Sequence, residues 1–480
     1  MRCFVLSFTL FLFLHTPSST SSPVLPFCNH HDNSNLLHFK NSFAINTSLY
    51  KDWDWDWECS SYSSKIASWK NGTDCCEWDG VTCGTASGHV IGLDLSCSML
   101  QGGFHLNSTL FHLTHLQQLN LAYNDFCASQ LSSRIGDLVS LTHLNLSNSG
   151  FGGDIPSTIS HLSKLLLLDL SRTYTLPDWE NSNFRLEPST WRKLVGNTTK
   201  MKELLLDGVD MSSIRETSLS LLINFSSSLL SLSLPDTELH GKFPSGILGL
   251  PNLEELNLFG NQELKGELPK SNWSTSLRIL DLSKTAFSGQ IPDSIRHLKS
   301  LNQLSLSFCQ FDGSIPVSLW NLTQLTYLDL SGRLHGDIPS VLSNFKHLTL
   351  LGLSSSRLSG HIPDVFDNLT KLDFLDNLLH TWKSMDYIDL SFNKLLGDLP
   401  IPPYGIAVFS VSNNNFTGHI SSTFCNASSL DVLILSHNNL SGTIPQCLGA
   451  SPFLSILDLQ VTTFMEAYLQ IFLKAMYCRL

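Results

Sequence analysis

Residues 277–292 read LRILDLSKTAFSGQIP, and the same phrase returns as LNQLSLSFCQFDGSIP at 301–316 and as LDVLILSHNNLSGTIP at 430–445. Five successive copies open 24 residues apart, at Leu229, Leu253, Leu277, Leu301 and Leu325. Because a unit this short cannot bury its own apolar face, successive units must stack side by side around one continuous core. The repeat therefore predicts an elongated molecule with a long surface, and binding is the function expected of such a surface.

The order L-x-x-L-x-L-x-x-N/C-x-L followed by x-G-x-I-P is that of a leucine-rich repeat. We predict an α/β fold: a right-handed leucine-rich-repeat solenoid of horseshoe or superhelical shape, with a parallel β-sheet on its concave face and an N-terminal disulfide cap. The solenoid spans 85–460 in about 16 repeats, one of them partly deleted near 376–384. The repeats open at Val90, Leu116, Leu141, Leu165, Met201, Leu229, Leu253, Leu277, Leu301, Leu325, Leu348, Leu372, Met385, Ile406, Leu430 and Leu454. With strands about 4.8 Å apart, the sheet is roughly 70 Å long.

The asparagine position of the repeat has a predicted structural role. An amide side chain there bonds backbone groups of the turn, and a stack of such turns forms a ladder. The asparagines in this position are Asn124, Asn261, Asn393, Asn414 and Asn438. Cys309 takes the position in its own repeat, and we expect it to be a buried structural thiol rather than a reactive one.

The N-terminal segments precede the repeats. Residues 1–22 have the features of a secretory signal peptide, since Arg2 is followed by an apolar stretch and then by small residues. Residues 23–84 form the predicted cap of the first coil. Within it, KDWDWDWE at 51–58 has two interpretations, an acidic and aromatic docking strip or a variable cap loop, and we favour the loop.

Export to an oxidising compartment agrees with 12 cysteines and with a dozen N-x-S/T sequons. The predicted glycosylation sites are Asn46, Asn71, Asn107, Asn145, Asn197, Asn224, Asn272, Asn321, Asn368, Asn415, Asn426 and Asn439. A net charge of −12 argues against a nucleic-acid partner. The sequence has no P-loop, G-x-S-x-G, kinase or H-E-x-x-H motif. We therefore expect no enzyme activity, no cofactor and no metal site.

Residues that flank the buried leucines of each strand face solvent and are the candidates for ligand binding. In four central repeats these are Glu255, Asn257, Phe259, Ile279, Asp281, Lys284, Gln303, Ser305, Phe308, Tyr327 and Asp329. Phe259, Phe308 and Tyr327 are the expected anchors, because aromatic residues dominate interface hot spots.

Several phrases carry a family resemblance, among them DNSNLLHFKNSF at 32–43, SWKNGTDCCEWDGVTC at 68–83 and STFCNASSLDVLILSHNNLSGTIPQCLG at 422–449. They resemble plant extracellular leucine-rich-repeat receptor-like proteins of the Cf-type disease-resistance class, over about residues 1–460. The resemblance implies an ectodomain that senses a peptide or protein ligand and lacks a kinase domain, a membrane helix after it, and signalling through a partner receptor kinase.

The resemblance also implies disulfides between Cys28 and Cys75 and between Cys76 and Cys83. Cys425 and Cys447 lie close to one repeat apart, so a bridge between consecutive coils is sterically reasonable. Cys59, Cys97 and Cys127 stay unassigned, because connectivity does not follow from spacing alone.

Residues 461–480 depart from the family pattern and are expected to be an aberrant tail without repeat character. We hypothesise a frameshift near Val461, or an equivalent gene-model error, that removes closing coils and a transmembrane segment. The expected location is the secretory pathway, with the plasma membrane as the destination of a full-length receptor and the extracellular space as that of this chain. Two alternative functions remain: a secreted inhibitor of a pathogen wall-degrading enzyme, similar to polygalacturonase-inhibiting proteins, and a developmental receptor-like protein that senses an endogenous peptide.

Overall fold

A computed structural model describes residues 27–46, 59, 64–126, 129–172, 183–225, 227–362, 386–460 and 462–464. One 16-stranded sheet runs through them, in which the first strand is antiparallel to the second and the others are parallel. Its strands, in order, are Val81–Cys83, Val90–Asp94, Gln118–Asn120, His143–Asn145, Leu167–Asp169, Glu203–Leu205, Ser231–Ser233, Glu255–Asn257, Ile279–Asp281, Gln303–Ser305, Tyr327–Asp329, Leu350–Gly352, Tyr387–Asp389, Val408–Ser410, Val432–Ile434 and Ile456–Asp458. The predicted leucine-rich-repeat solenoid is confirmed.

The leucines of each repeat build the core. Leu277, Leu280 and Leu282 are all fully buried, and Leu280 lies beside Leu256 and Leu304 of the neighbouring strands. Each buried leucine contributes about 1.5–3 kcal/mol to the free energy of unfolding. Since every coil repeats this arrangement, the core is one continuous column along the sheet.

The x-G-x-I-P segment turns each coil away from the concave sheet. Short strands form a second, flanking layer: Gly241–Lys242, Leu264–Gly266, Ala286–Gln290 and Gln310–Asp312 in one sheet, and His335–Asp337, Arg357–His361, Lys394–Asp398 and Asn415–Thr417 in another. Two-stranded pairs join Ala44–Ile45 to Leu100–Gln101, Gly153–Asp154 to Phe184–Arg185, and Ser441–Gly442 to Thr463–Phe464. Gly289, with φ +89°, makes one of these turns in a conformation that favours glycine.

Helical turns complete most coils on the side opposite the concave sheet. The α-helices are His30–Lys40, Pro188–Asn197, Glu216–Leu219 and Gln446–Ala450. The 3₁₀ helices are Lys65–Ser68, Cys75–Glu77, Thr109–His112, Ser133–Asp137, Ser157–His161, Ser220–Phe225, Ser245–Gly249, Asp293–His297, Val317–Asn321, Ser340–Asn344 and Ser422–Asn426. The proline of the repeat immediately precedes several of them, as Pro292 precedes Asp293–His297.

The predicted asparagine ladder is present. Asn393 donates its side-chain N–H groups to the carbonyls of Leu353, Leu390 and Ser391 at 2.8, 3.0 and 3.1 Å, and its Oδ1 accepts the Leu358 N–H at 3.0 Å. Leu353 and Leu358 belong to the preceding coil, so one amide ties two coils together. Equivalent bonds are made by Asn124, Asn261, Asn414 and Asn438.

Cys309 occupies the ladder position as predicted. It is a buried free cysteine whose Sγ lies 2.9 Å from the Leu282 carbonyl oxygen of the preceding coil. Burial raises the pKa of this thiol, which disfavours the reactive thiolate.

The cap covers the first coil. Asn29 caps the N-terminus of helix His30–Lys40, and its side chain accepts hydrogen bonds from the N–H groups of His31 and Asp32. Leu36 and Phe39 of this helix are buried. The Asp32 carboxylate also accepts the Val90 N–H at 2.9 Å, which fixes the helix to the first parallel strand.

Four disulfides are present in the described part of the chain. Cys28 pairs with Cys75 and Cys76 with Cys83, the pairs that the resemblance implies, and Cys425 pairs with Cys447 across consecutive coils, with Cα–Cα distances of 5.4, 5.5 and 5.7 Å. The fourth pair, unassigned from the sequence, joins Cys59 of the cap to Cys97 of the first coil. Cys127 lies outside the described residues.

Strand Leu350–Gly352 pairs directly with Tyr387–Asp389, and Leu351 lies beside Ile388. The repeat predicted to open at Leu372 lies outside the described residues. The proposed deletion near 376–384 lies outside the described residues.

The predicted tail begins too early. Thr463–Phe464 pairs in parallel with Ser441–Gly442, and the Thr462 hydroxyl donates to the Leu459 carbonyl at 2.7 Å, as Thr285 does to Leu282 at 2.6 Å. Repeat character therefore continues to Phe464. The rest of the tail, the signal peptide at 1–22 and the segment at 51–58 lie outside the described residues.

Candidate ligand-binding face

The candidate ligand-binding residues of the strands lie in two rows on the concave sheet. The first residues of six successive strands lie side by side and form the first row: Glu255, Ile279, Gln303, Tyr327, Leu350 and Tyr387. The third residues form the second row: Asn257, Asp281, Ser305, Asp329, Gly352 and Asp389. The register thus brings candidates from four separate repeats onto one surface.

Two candidates are corrected. Asn257 and Ser305 are only 4% and 5% exposed, so they contribute little contact surface. Asn257 instead accepts the Phe259 N–H at 3.1 Å and shapes its own turn. Alternation along a strand predicts which way a side chain faces, but the neighbouring strands decide whether a small side chain is reached by solvent.

The turns that follow these strands carry the other candidates. The Lys284 ammonium lies 4.9 Å from the centroid of the half-buried Phe259 ring, a cation–π contact. Phe308 is 56% exposed and has a φ of +53°. A bulky residue rarely adopts such a backbone conformation. Phe308 is therefore unusual in exposing an aromatic side chain from a left-handed backbone.

Three residues of this face were missed in the sequence. Tyr387 and Asp389 take the same strand positions as Tyr327 and Asp329, and Phe392, 57% exposed, takes the turn position of Phe308. The signal was present, because MDYIDLSF at 385–392 matches LTYLDLSG at 325–332. The irregular spacing before Met385 obscured it.

Negative charge surrounds the two tyrosines. Burial raises the pKa of Tyr327 to about 12, and the charges of Asp329 and Asp281 add to the shift. Burial also raises the pKa of Tyr387, with contributions from Asp389 and Asp329. Both phenols are therefore neutral hydrogen-bonding groups at physiological pH, in a field that favours a cation.

The predicted glycosylation sites largely avoid the concave strands. The exposed ones are Asn71, Asn107, Asn197, Asn224, Asn272, Asn321, Asn415, Asn426 and Asn439, whereas Asn46 and Asn145 are half-buried. Asn145 alone among the described sequons lies in a concave strand, His143–Asn145. Asn368 lies outside the described residues. The described concave strands after Asn145 therefore carry no sequon, and glycans on the other sites leave that face open.

Family profiles match the repeats. A profile described as "Leucine-rich repeat region" matches residues 273–475, and one described as "Leucine Rich Repeat" matches 140–162. The first match extends past the last described residue.

Curated relatives are plant proteins. Receptor-like protein 6 of Arabidopsis thaliana is 38% identical over 308 residues, which are 64% of this chain and 30% of that protein. Receptor-like protein Cf-9 of Solanum pimpinellifolium is 36% identical over 306 residues, 63% of this chain and 34% of that protein. The match spans about a third of the length of these relatives.

Solved structures share the fold. The crystal structure of a TDR receptor superposes with a TM-score of 0.59 and 26% identity, covering 81% of this chain and 67% of that one. The plant peptide hormone receptor RGFR1 in complex with RGF2 gives a TM-score of 0.53 at 24% identity, covering 81% and 72%, and supports the fold alone. In the described residues no helix is both long and apolar enough to cross a membrane.

Proposed function

We propose that this chain, whose repeats match a leucine-rich-repeat profile and plant receptor-like proteins, recognises an extracellular peptide or protein ligand on its concave face. We further propose that recognition serves defence signalling through a partner receptor kinase, as part of a receptor at the plasma membrane. The similarity to Cf-9 supports the defence role, and the two rows of the concave sheet support the placement of the ligand.

The observation that carries the proposal is the surface made by the two rows. Tyr327 and Tyr387 in the first row are half-exposed, and Phe308 and Phe392 in the turns that follow are exposed. The same strands carry carboxylates and no sequon. Solvent-exposed aromatic residues contribute nothing to the core of a solenoid, whereas they dominate the energetics of protein interfaces.

Selection of displayed peptides on the secreted chain tests recognition. We expect enriched peptides to lose at least about tenfold in affinity for a Phe308→Ala/Tyr327→Ala variant. The matched control is Val317→Ala/Tyr404→Ala, which truncates two exposed side chains (72% and 52%) outside the concave strands. Equal loss with both variants, or no peptide whose binding depends on the concave residues, would overturn the proposal.

Defence signalling requires a separate measurement. Leaf tissue that expresses the chain within a membrane-anchored receptor should release reactive oxygen species when a selected peptide is added, and tissue with the Phe308→Ala/Tyr327→Ala variant should not. Intact binding accompanied by a growth response instead of an oxidative burst would leave recognition standing and replace defence with development.

A further inference from the structure

Three consecutive strands in the centre of the concave face form a recess. Tyr327, Leu350 and Tyr387 lie side by side in the first row, and Asp329, Gly352 and Asp389 lie side by side in the second. A tyrosine and a carboxylate thus stand on each side of strand Leu350–Gly352, in which Leu350 lies between the tyrosines and Gly352, without a side chain, lies between the carboxylates. With strands about 4.8 Å apart, the two flanking pairs are separated by roughly 10 Å.

Gly352 leaves room in the recess for the Asp329 carboxylate. A Cβ atom at this position would lie 2.5 Å from Oδ1 of Asp329, closer than real side-chain contacts allow. The Asp329 carboxylate therefore leans over Gly352, toward the strand of Tyr387 and Asp389. Ser331 donates its N–H and hydroxyl to Oδ1 of Asp329 at 3.0 and 2.7 Å, which holds the carboxylate in that position.

The recess is negatively charged and is not neutralised by the rest of the described chain. No lysine, arginine or histidine in the described residues forms an ion pair with Asp329 or Asp389; the ion pairs involve Asp32, Asp94, Asp137, Asp154, Asp210 and Glu254. The nearby Lys284 lies over Phe259 instead. A cation that enters from outside therefore meets two carboxylates and two neutral phenols.

Apolar side chains stand on both sides of the recess, because Phe392 follows its last strand and Phe308 follows the strand before its first. Phe308 and Phe392 occupy the same turn position three strands apart, and Gly332 and Ser355 occupy it between them. Both phenylalanines are more than half exposed and have φ of +53° and +54°. Their distance, about 14 Å for three strand spacings, corresponds to about four residues of an extended peptide at 3.3–3.4 Å each.

We propose that this recess, formed by Tyr327, Asp329, Gly352, Tyr387 and Asp389, binds the guanidinium group of an arginine in an extended peptide ligand. Apolar residues on both sides of that arginine contact Phe308 and Phe392. The inference rests on the proposed function and specifies the ligand chemistry. Arginine is favoured over lysine because its planar guanidinium both bonds carboxylates in pairs and stacks on aromatic rings.

Charge complementarity supports a peptide rather than a carbohydrate or an acidic protein as the occupant. A cationic side chain gains more from two carboxylates than the neutral hydroxyls of a sugar do, because the attraction of opposite charges adds to the hydrogen bonds, and an acidic segment is repelled. The described strands that form and surround the recess carry no sequon.

The test uses synthetic peptides of the sequence acetyl-GFSXSFG-amide, where X is arginine, citrulline or aspartate. Citrulline keeps the shape of arginine without its charge. On the parent chain we expect the arginine peptide to bind at least about tenfold more tightly than the citrulline peptide, and the aspartate peptide to bind least. In Asp329→Asn/Asp389→Asn the ratio between arginine and citrulline should fall to about one.

The matched control is Asp312→Asn/Glu267→Gln, which removes the same charge from exposed positions outside the concave strands. It should retain the ratio, and thermal unfolding shows whether each variant is folded. Equal binding of arginine and citrulline peptides to the parent, or an unchanged ratio in Asp329→Asn/Asp389→Asn, would overturn the inference. If library peptides without arginine bind through Phe308 and Tyr327, the inference fails and the proposed function stands; if no peptide depends on those residues, the proposed function itself fails.

Discussion

Two sets of coils share one backbone frame and differ in what their concave strands present. The first set has strands Gln118–Asn120, His143–Asn145 and Leu167–Asp169, and the central set has strands Tyr327–Asp329, Leu350–Gly352 and Tyr387–Asp389. Both sets contain third-position acids, but the surroundings of these acids differ.

In the first set Asp169 is only 8% exposed. Its pKa is raised to about 6, mainly by burial and also by the charge of Asp207. The hydrogen bonds from Ser171 lower the pKa and only partly offset this rise. In the central set Asp329 and Asp389 are half-exposed on either side of Gly352. The repeat therefore determines the backbone frame of the coils. The size of the residue on the adjacent strand determines whether a carboxylate can contact a ligand.

A glycan placed on the strand next to the central set should abolish binding, the largest effect that we predict. Gln303→Asn creates the sequon Asn-Leu-Ser with Leu304 and Ser305, next to Tyr327 in the first row. The glycan stands on the face and excludes a ligand sterically. Loss of binding to peptides selected on the parent chain is the measurement, with Gln303→Asn/Ser305→Ala, which lacks the sequon, as the control. A glycosylated variant that binds like the parent would place the ligand elsewhere.

Ladder residues should be equally important in both sets. Asn124→Ala and Asn393→Ala each leave a buried N–H, of Leu100 or Leu358, and a buried carbonyl, of Leu95 or Leu353, without a partner. At 1–3 kcal/mol for each group, we expect a loss of about 4 kcal/mol in the free energy of unfolding. Urea unfolding measures it. A much smaller loss in one set than in the other would show that the frame is not shared.

The sequence predicted this frame well, for a physical reason. Leucine spacing determines which residues enter the core, and Asn at the ladder position bonds the previous coil, so both features follow from local pattern. The face was harder to predict. Tyr387 and Asp389 were missed because pairing, and not residue number, places the strand after Leu350–Gly352. Asn257 and Ser305 were included among the ligand-binding candidates because the alternation of side chains along a strand predicts which face a residue is on. It does not predict how far neighbouring side chains cover a small residue on that face.

The buried acid of the first set should make stability depend on pH. The folded-state pKa of Asp169, about 6, lies above the ordinary aspartate value of 3.8, so the side chain ionises more readily in the unfolded chain. The folded state is therefore relatively most stable below about pH 4 and loses stability as the pH rises to about 6, by up to about 3 kcal/mol.

Asp169→Asn removes this penalty and keeps the oxygen that accepts the Ser171 N–H. We expect the variant to be about 2–3 kcal/mol more stable than the parent at pH 7 and to approach it below pH 4. Urea unfolding at a series of pH values gives the difference. A difference that is the same at pH 4 and pH 7 would contradict the buried, protonatable acid.

The smallest predicted effect distinguishes ligand contact from stability in the central set. Phe392 is exposed in a left-handed conformation, φ +54°, which asparagine tolerates far better than phenylalanine. Phe392→Asn should therefore raise the free energy of unfolding by about 0.5–1 kcal/mol. The same change should weaken the arginine peptide, because it removes one apolar contact. The control, Phe453→Asn, changes a 62% exposed phenylalanine that is not among the residues with positive φ, and it should alter neither quantity. If the variant gains stability and loses affinity, Phe392 is kept in this conformation for the ligand, since folding alone would favour the replacement. If the variant gains stability and keeps full affinity, Phe392 does not belong to the binding face.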